Sequence, residues 1–503
     1  MTLCRSTTIL GALLLLPASA SAYPDLHTIG TPGDLATWGA VCSPLAVAPK
    51  SINKPGRASQ IDACKSGHPH HPDCMSRVTI PLADHPEAVC NDGSPGVFYV
   101  RAGTNDDINK WVIHLQGGGA CRTHEDCMDR WCGLQGDVPY NANKMSSDWT
   151  GDGVVDLPPW GAADGMSDPR AANDFGTWTH VWMYYCSSDS WLGQETFVDY
   201  DTSTTLPPFT MAHRGHTILA AARAMLRKVN PHPAWVTDTE RSVPDLDDAT
   251  TVLFTGTSAG AKGAIQNADW FLAPLPAPDK RLVIDANLDV SDTVLTAHDI
   301  WVDASGVAGG VDDTLVNYRA AQDRAAWGGW YTDINAFVDQ SCSATHLAAG
   351  TMDRCMSFST LLTLTDAGGA PLIDTESYIR IDLEDPNNAQ MWNGAWPTGE
   401  QLTVTSAGPA TTAFDALVLT RETLLELYSH PDNNVSGVFG PRCGKHVGLE
   451  NSQVFFAHKL PNPPTGPVSV YDGLGQWLLA PAANNRNLDN AIPFGKVSFG
   501  PGC

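Results

Sequence analysis

The stretch VLFTGTSAGAKGAI, residues 252–265, narrows the folds open to this chain. A β-rich apolar run (250–256) enters it, Gly-Thr-Ser-Ala-Gly turns it, and a helical pattern (259–272) leaves it. Passing from strand to helix in so few residues forces backbone and side chains together. Gly256 and Gly260 flank Ser258 where Cβ atoms would collide with neighbouring elements. Such a turn lifts the Ser258 hydroxyl above the end of a sheet. The helix starting at Ala259 aims free N–H groups at the same point, where they favour negative charge. With 45 glycines in the chain the five-residue pattern alone means little; the strand before it and the helix after it give it weight.

The rest of the chain agrees with that element order. Apolar runs at 97–103, 110–116, 179–186, 281–287, 377–383 and 436–440 read as strands, the first two as neighbours. Helical spacing of apolar residues marks 214–229 and 412–430. Strands alternating with helices predict an α/β fold, a mainly parallel central sheet with helices on both faces. Polar segments at 139–176 and 302–370 interrupt the pattern as long insertions. The spaced aspartates of 148–156 lack the full ligand set of a calcium loop and read as a solvated turn. A length of 503 residues with 43% hydrophobic composition supplies a large core.

The first 22 residues read as a signal peptide. Arg5 precedes a short apolar run, and Ala20-Ser21-Ala22 is a small-residue cleavage site. The apolar run is too short to span a bilayer, so the mature chain is expected to be exported and to begin at Tyr23. Residues 23–96 read as an irregular Cys- and Pro-containing segment, and 97–503 as the catalytic domain. Thirteen cysteines include Cys4 in the leader, and the even number remaining suits disulfides. Cys64/Cys74, Cys121/Cys127 and Cys342/Cys355 are spaced as local staples. His68, His70 and His71 near Cys74 lack structural-zinc spacing and read as a polar loop. A net charge of −25 argues against nucleic acid or an anionic membrane as partner.

If Ser258 is a nucleophile, it needs oxyanion donors, a base and an acid. The triple glycine in VIHLQGGGAC follows a strand upstream of the serine, where an oxyanion loop belongs. Gly118 and Gly119 let backbone N–H groups approach a developing oxyanion, and Ala259 adds its N–H from the far side. Of the histidines after Ser258, His446 follows a late strand in a glycine-containing loop and is the expected base. His430 ends a helix and reads as a C-terminal cap. Asp385, just past the strand at 377–383, is the expected acid, with Asp382 and Glu384 as alternatives.

Taken together, VIHLQGGGAC, FTGTSAGAKGA, ADWFLAPLPAPDKRLVIDANLDVSD, VFGPRCGKH and GLGQWLL resemble, in order, the pectin acetylesterases and the related Notum-type carboxylesterases. The resemblance runs from about Val97 to the C-terminus. It implies a secreted, disulfide-bonded α/β-hydrolase fold that removes acyl groups from esters. It assigns Ser258 as nucleophile, His446 as base, Asp385 as acid, and Gly118, Gly119 and Ala259 as oxyanion donors. Departures from the family pattern stand at Gln116, at Gly119 and Ala120, in DANLD (285–289) and at Val447. They touch the pocket wall and leave the proposed triad intact.

The expected reaction is acyl transfer to water through an acyl-enzyme, with no cofactor. The expected substrate is an acylated carbohydrate such as pectin, or a small ester. A strongly acidic chain repels polygalacturonate unless its cleft is locally basic, which keeps neutral esters in view. Trp392 and Trp396 are candidates for a sugar or acyl wall. Alternatives are a deacylase of small or lipid esters and a non-catalytic secreted binding protein on the same scaffold.

Overall fold

A computed structural model describes residues 75–131, 145–147, 165–169, 172–200, 209–227, 243–297, 300–303, 313–314, 324–383, 385, 403–406, 413–460, 467–479 and 486–488. The signal peptide, His68 to Cys74, the aspartates of 148–156, Glu384, Trp392 and Trp396 lie outside the described residues.

Nine strands form the main sheet: β1 (Ser76–Thr79), β2 (Val97–Arg101), β3 (Lys110–Leu115), β4 (Thr179–Met183), β5 (Thr251–Thr257), β6 (Asp279–Asp285), β7 (Glu376–Arg380), β8 (Val435–Gly440) and β9 (Arg486–Leu488). Their order is β1-β2-β4-β3-β5-β6-β7-β8-β9. The pairs β1/β2 and β2/β4 are antiparallel, and every pair from β4/β3 to β8/β9 is parallel. One expectation is corrected here. β2 and β3 are not neighbours, because β4 comes between them: β3 pairs with β4 on one side and β5 on the other. The sheet also includes β1, ahead of β2. Four residues with polar side chains at Ser76, Arg77 and Thr79 carry too short a pattern to read as a strand, yet Val78 is buried on pairing with β2.

Successive residues of the central strands face opposite sides of the sheet, so each strand feeds two cores. Trp111, Ile113 and Leu115 of β3, Val252 and Phe254 of β5, and Leu282 and Ile284 of β6 pack in one core. There they meet Ile218 and Leu219 of α2 (Gly215–Leu226), Ile265 and Phe271 of α3 (Ala259–Leu272), and Leu424 and Leu427 of α4 (Ala413–Ser429). Val112, Leu253, Val283 and Tyr378 face the other way, against Leu474 and Trp477 of α5 (Val470–Leu479) and Phe455. This is the predicted three-layer α/β arrangement, and the continuous apolar runs of β3, β5 and β6 follow from burial on both faces. The segment expected at 302–370 to be polar insertion also holds short helices at Gln340–His346 and Phe358–Thr363.

Disulfides join Cys121 to Cys127 and Cys342 to Cys355, the two local staples expected from spacing. A third, Cys90–Cys186, links positions 96 residues apart and ties the approach to β2 to the chain leaving β4. Cys443 is also disulfide-bonded. Among the described residues no helix is long and apolar enough to cross a membrane.

Candidate active site

The parallel strands run in one direction, so their C-terminal ends share one edge, where open α/β sheets gather functional loops. Register aligns the ends. Leu115 pairs with Gly256, Thr257 with Asp285, and Asp285 with Arg380. The loops carrying Gln116 to Gly119, Ser258, Asp385 and His446 therefore leave β3, β5, β7 and β8 along the same edge.

Ser258 caps α3 with φ 56° and ψ −119°. A non-glycine residue holds this left-handed conformation only where its surroundings enforce it. Here β5 and α3 do so, closing on each other so tightly that a Cβ on Gly256 would stand 2.1 Å from the Gly260 carbonyl oxygen. The Ser258 N–H donates to the Asp285 carbonyl at 2.9 Å, and Asn287 Nδ2 donates to the Ser258 carbonyl at 3.0 Å.

His446 Nε2 lies 2.8 Å from Ser258 Oγ. Its Nδ1 lies 2.8 Å from Asp385 Oδ2 and 3.0 Å from Oδ1. A carboxylate beside Nδ1 makes that nitrogen the N–H donor and leaves Nε2 as the acceptor for the serine proton. The Asp385 side chain is fully buried, whereas that of His446 is 20% exposed, so the chain of hydrogen bonds opens outward through the imidazole and serine. Asp382, weighed as an alternative acid, turns elsewhere: its carboxylate accepts from Arg380 and from the Lys445 N–H.

Gly118 and Gly119 sit beyond β3, with Gly119 at φ 68°. Ala259 is the first residue of α3, so its N–H has no intrahelical acceptor. Sequence reasoning missed Arg130. Fully buried on α1 (His124–Trp131), it donates from Nη1 to the Gly118 carbonyl at 2.8 Å and lies 5.9 Å from the Tyr185 ring centroid. Burial lowers its pKa, opposed by Tyr185 and Asp126. A lone arginine in a short polar helix carries no sequence signal for this role. The Gln116 side-chain carbonyl accepts from the Tyr185 N–H at 3.1 Å.

Among the described residues two clusters have metal-like composition, Cys342/His346/Cys355 and Asp382/Cys443/His458, with ligand atoms within 4.8 Å of one another. Their cysteines are in disulfides and offer no thiolate.

Residues 71–291 match the family model described as Pectinacetylesterase. This stretch is similar to that family. It contains the glycine loop and Ser258, while Asp385 and His446 lie downstream of it. The chain is 26% identical over 201 residues to pectin acetylesterase 11 of Arabidopsis thaliana, covering 40% of this chain and 42% of the relative. It is 28% identical over 151 residues to the palmitoleoyl-protein carboxylesterase NOTUM of Drosophila melanogaster, covering 30% and 20%. The chain thus spans less than half the length of these relatives in alignment. Its fold is similar to the solved structure of the Wnt deacylase Notum from Drosophila, with TM-score 0.55 and 20% identity over 83% of this chain and 97% of that one. The α/β-hydrolase fold is therefore shared along most of the chain, well beyond the family match.

Proposed function

We propose that this protein is an exported serine esterase that hydrolyses acyl esters through a Ser258–His446–Asp385 triad. The observation that carries the reading is the unbroken hydrogen-bonded path from Ser258 Oγ through the imidazole to the buried Asp385 carboxylate. His446 Nε2 accepts the serine proton as Oγ attacks the ester carbonyl. The N–H groups of Gly118, Gly119 and Ala259 stabilise the oxyanion. The alcohol leaves with the proton from His446, and water repeats the sequence to release the acid and free Ser258. Asp385 holds the imidazole in the tautomer with hydrogen on Nδ1 and does not take the proton.

The likeness to pectin acetylesterases supports acetyl esters on a polysaccharide as the substrate class. The likeness to a palmitoleoyl-protein carboxylesterase favours, as a second reading, a longer acyl chain. The apolar leader and the disulfides support export after cleavage near Ala22. Nitrophenyl esters from acetate to octanoate, tested on the wild type and Ser258→Ala, decide between them. Activity confined to short chains and abolished by the substitution supports a deacetylase, and acetate release from acetylated pectin against acetylated xylan then ranks the alcohols. A preference for octanoate moves the substrate to lipid esters. Unchanged activity in Ser258→Ala removes the assignment of the nucleophile.

A further inference from the structure

His446 stands in a loop (441–451) between β8 and a short helix at Gln453–Ala457. Its backbone is gripped by three buried charged side chains. The Lys445 N–H donates to Asp382 Oδ2 at 2.7 Å. The His446 carbonyl accepts from Arg380 Nη1 at 3.4 Å. The Gly448 and Leu449 N–H groups donate to Asp285 Oδ2 at 2.9 and 2.8 Å. Arg380 joins the two acids, donating from Nη1 to Asp285 Oδ1 at 2.9 Å and from Nη2 to Asp382. Asp285 and Arg380 are fully buried, and Asp382 is 1% exposed.

The same cluster reaches the nucleophile. Thr257 Oγ1 donates to Asp285 Oδ2 at 3.1 Å, and the Ser258 N–H donates to the Asp285 carbonyl. Asp285 thus holds the residue before Ser258 with one oxygen and the loop two residues after His446 with that same oxygen. Buried ion pairs add little to stability compared with apolar packing of the same volume, so stability is a poor reason for this one. What charge supplies here is direction: each carboxylate fixes specific N–H groups of a loop that makes few bonds of its own.

We propose that Asp285, Arg380 and Asp382 form a buried clamp that positions His446 against Ser258. The clamp acts through His446 and touches no substrate. As a contribution to catalysis, it rests on the esterase reading above.

The test is Asp382→Asn, an isosteric change that leaves Asp285 and Arg380 paired. Nitrophenyl acetate turnover, Ser258 labelling by a fluorophosphonate, and the downfield proton resonance of the His446 Nδ1–H are measured on wild type and variant. Displacing a catalytic group by about 1 Å costs up to about 100-fold in rate. The expected result is therefore kcat lowered at least about tenfold, KM within about twofold of the wild type, and labelling slowed in the same proportion. The Nδ1–H resonance should broaden or vanish. A folded variant with wild-type kcat and an unchanged resonance overturns the clamp. Should Asp382→Asn fail to fold, Lys445→Pro removes the same hydrogen bond from an exposed loop position, and the same outcomes decide. If the wild type proves inactive and unlabelled, the esterase reading fails on its own. The resonance then still shows whether Asp382 holds the imidazole in place.

Discussion

A Cβ on Gly260 would stand 2.0 Å from the carbonyl oxygen of Leu115. The first turn of α3 therefore lies directly against the end of β3, and the glycine loop that follows β3 starts beside Ser258. Backbone of β3 cannot yield without breaking its pairing to β4 and β5. Gly260→Ala should destabilise the fold by about 3 kcal/mol or more, at the upper end of overpacking costs. Gly475→Ala in α5 is the control. Nothing lies within 4 Å of a Cβ there, and a helical alanine should gain about 0.5–1 kcal/mol over glycine. Thermal melts of both variants check the contrast, and a Gly260→Ala melt equal to wild type would contradict the packing.

Asp385→Asn tests which of the three carboxylates that sequence leaves open orients the imidazole. An asparagine can present its NH2 group to Nδ1 and favour the wrong tautomer. On the proposed mechanism kcat falls by about 10⁴-fold, with little change in KM. Steady-state kinetics with nitrophenyl acetate measure it. A loss smaller than tenfold would show that Asp385 does not orient the base.

The disulfides should separate stability from activity. Cys90–Cys186 closes a span of 96 residues, and its double alanine variant should lose about 2–5 kcal/mol of stability. Cys121–Cys127 spans 6 residues just after the glycine loop. Its loss should cost less stability, because the loop released in the unfolded chain is short. It should lower kcat more, because it frees the segment after Gly118 and Gly119. Denaturant melts and kinetics on both double variants test the pair of outcomes; the reverse ranking would refute it.

Acid should weaken the fold through histidines buried in neutral form. Burial pulls His213 down to about 3 and His216 to about 4, and pushes His180 well below its ordinary value. His213 Nδ1 donates to the Ser187 carbonyl at 3.1 Å, so Nε2 accepts from Tyr200 at 2.8 Å. In the unfolded chain each imidazole takes a proton near pH 6.5; in the folded chain it refuses one until pH reaches the lowered value. The unfolded state thus binds more protons through this window. Stability from these groups is complete above pH 6.5 and is lost on acidification, by up to about 1.4 kcal/mol per pH unit for each histidine. Histidine NMR should show His213 and His216 still neutral at pH 5, and urea melts should weaken between pH 7 and 5. Protonation of either ring near pH 6.5 in the folded protein would remove this account.

The strand–turn–helix at Ser258 was legible because every constraint on it is local. Alternation of apolar runs and helical spacing gave the α/β class for the same reason, since burial on two faces writes itself into each strand. The staples at Cys121/Cys127 and Cys342/Cys355 were legible from short spacing. Other features depend on closure between distant segments, which leaves no periodic mark. Asp382, Glu384 and Asp385 lie within four positions of one another. The sheet turned Asp382 toward Arg380, and the loop beyond β7 carried Asp385 to His446. Placing β4 between β2 and β3, joining Cys90 to Cys186 and setting Arg130 under Gly118 were likewise tertiary decisions. Residue type and spacing determined which groups this chain can bring to chemistry. Only packing determined which carboxylate meets the imidazole, because a buried charge goes where a partner at hydrogen-bond distance offsets its lost hydration.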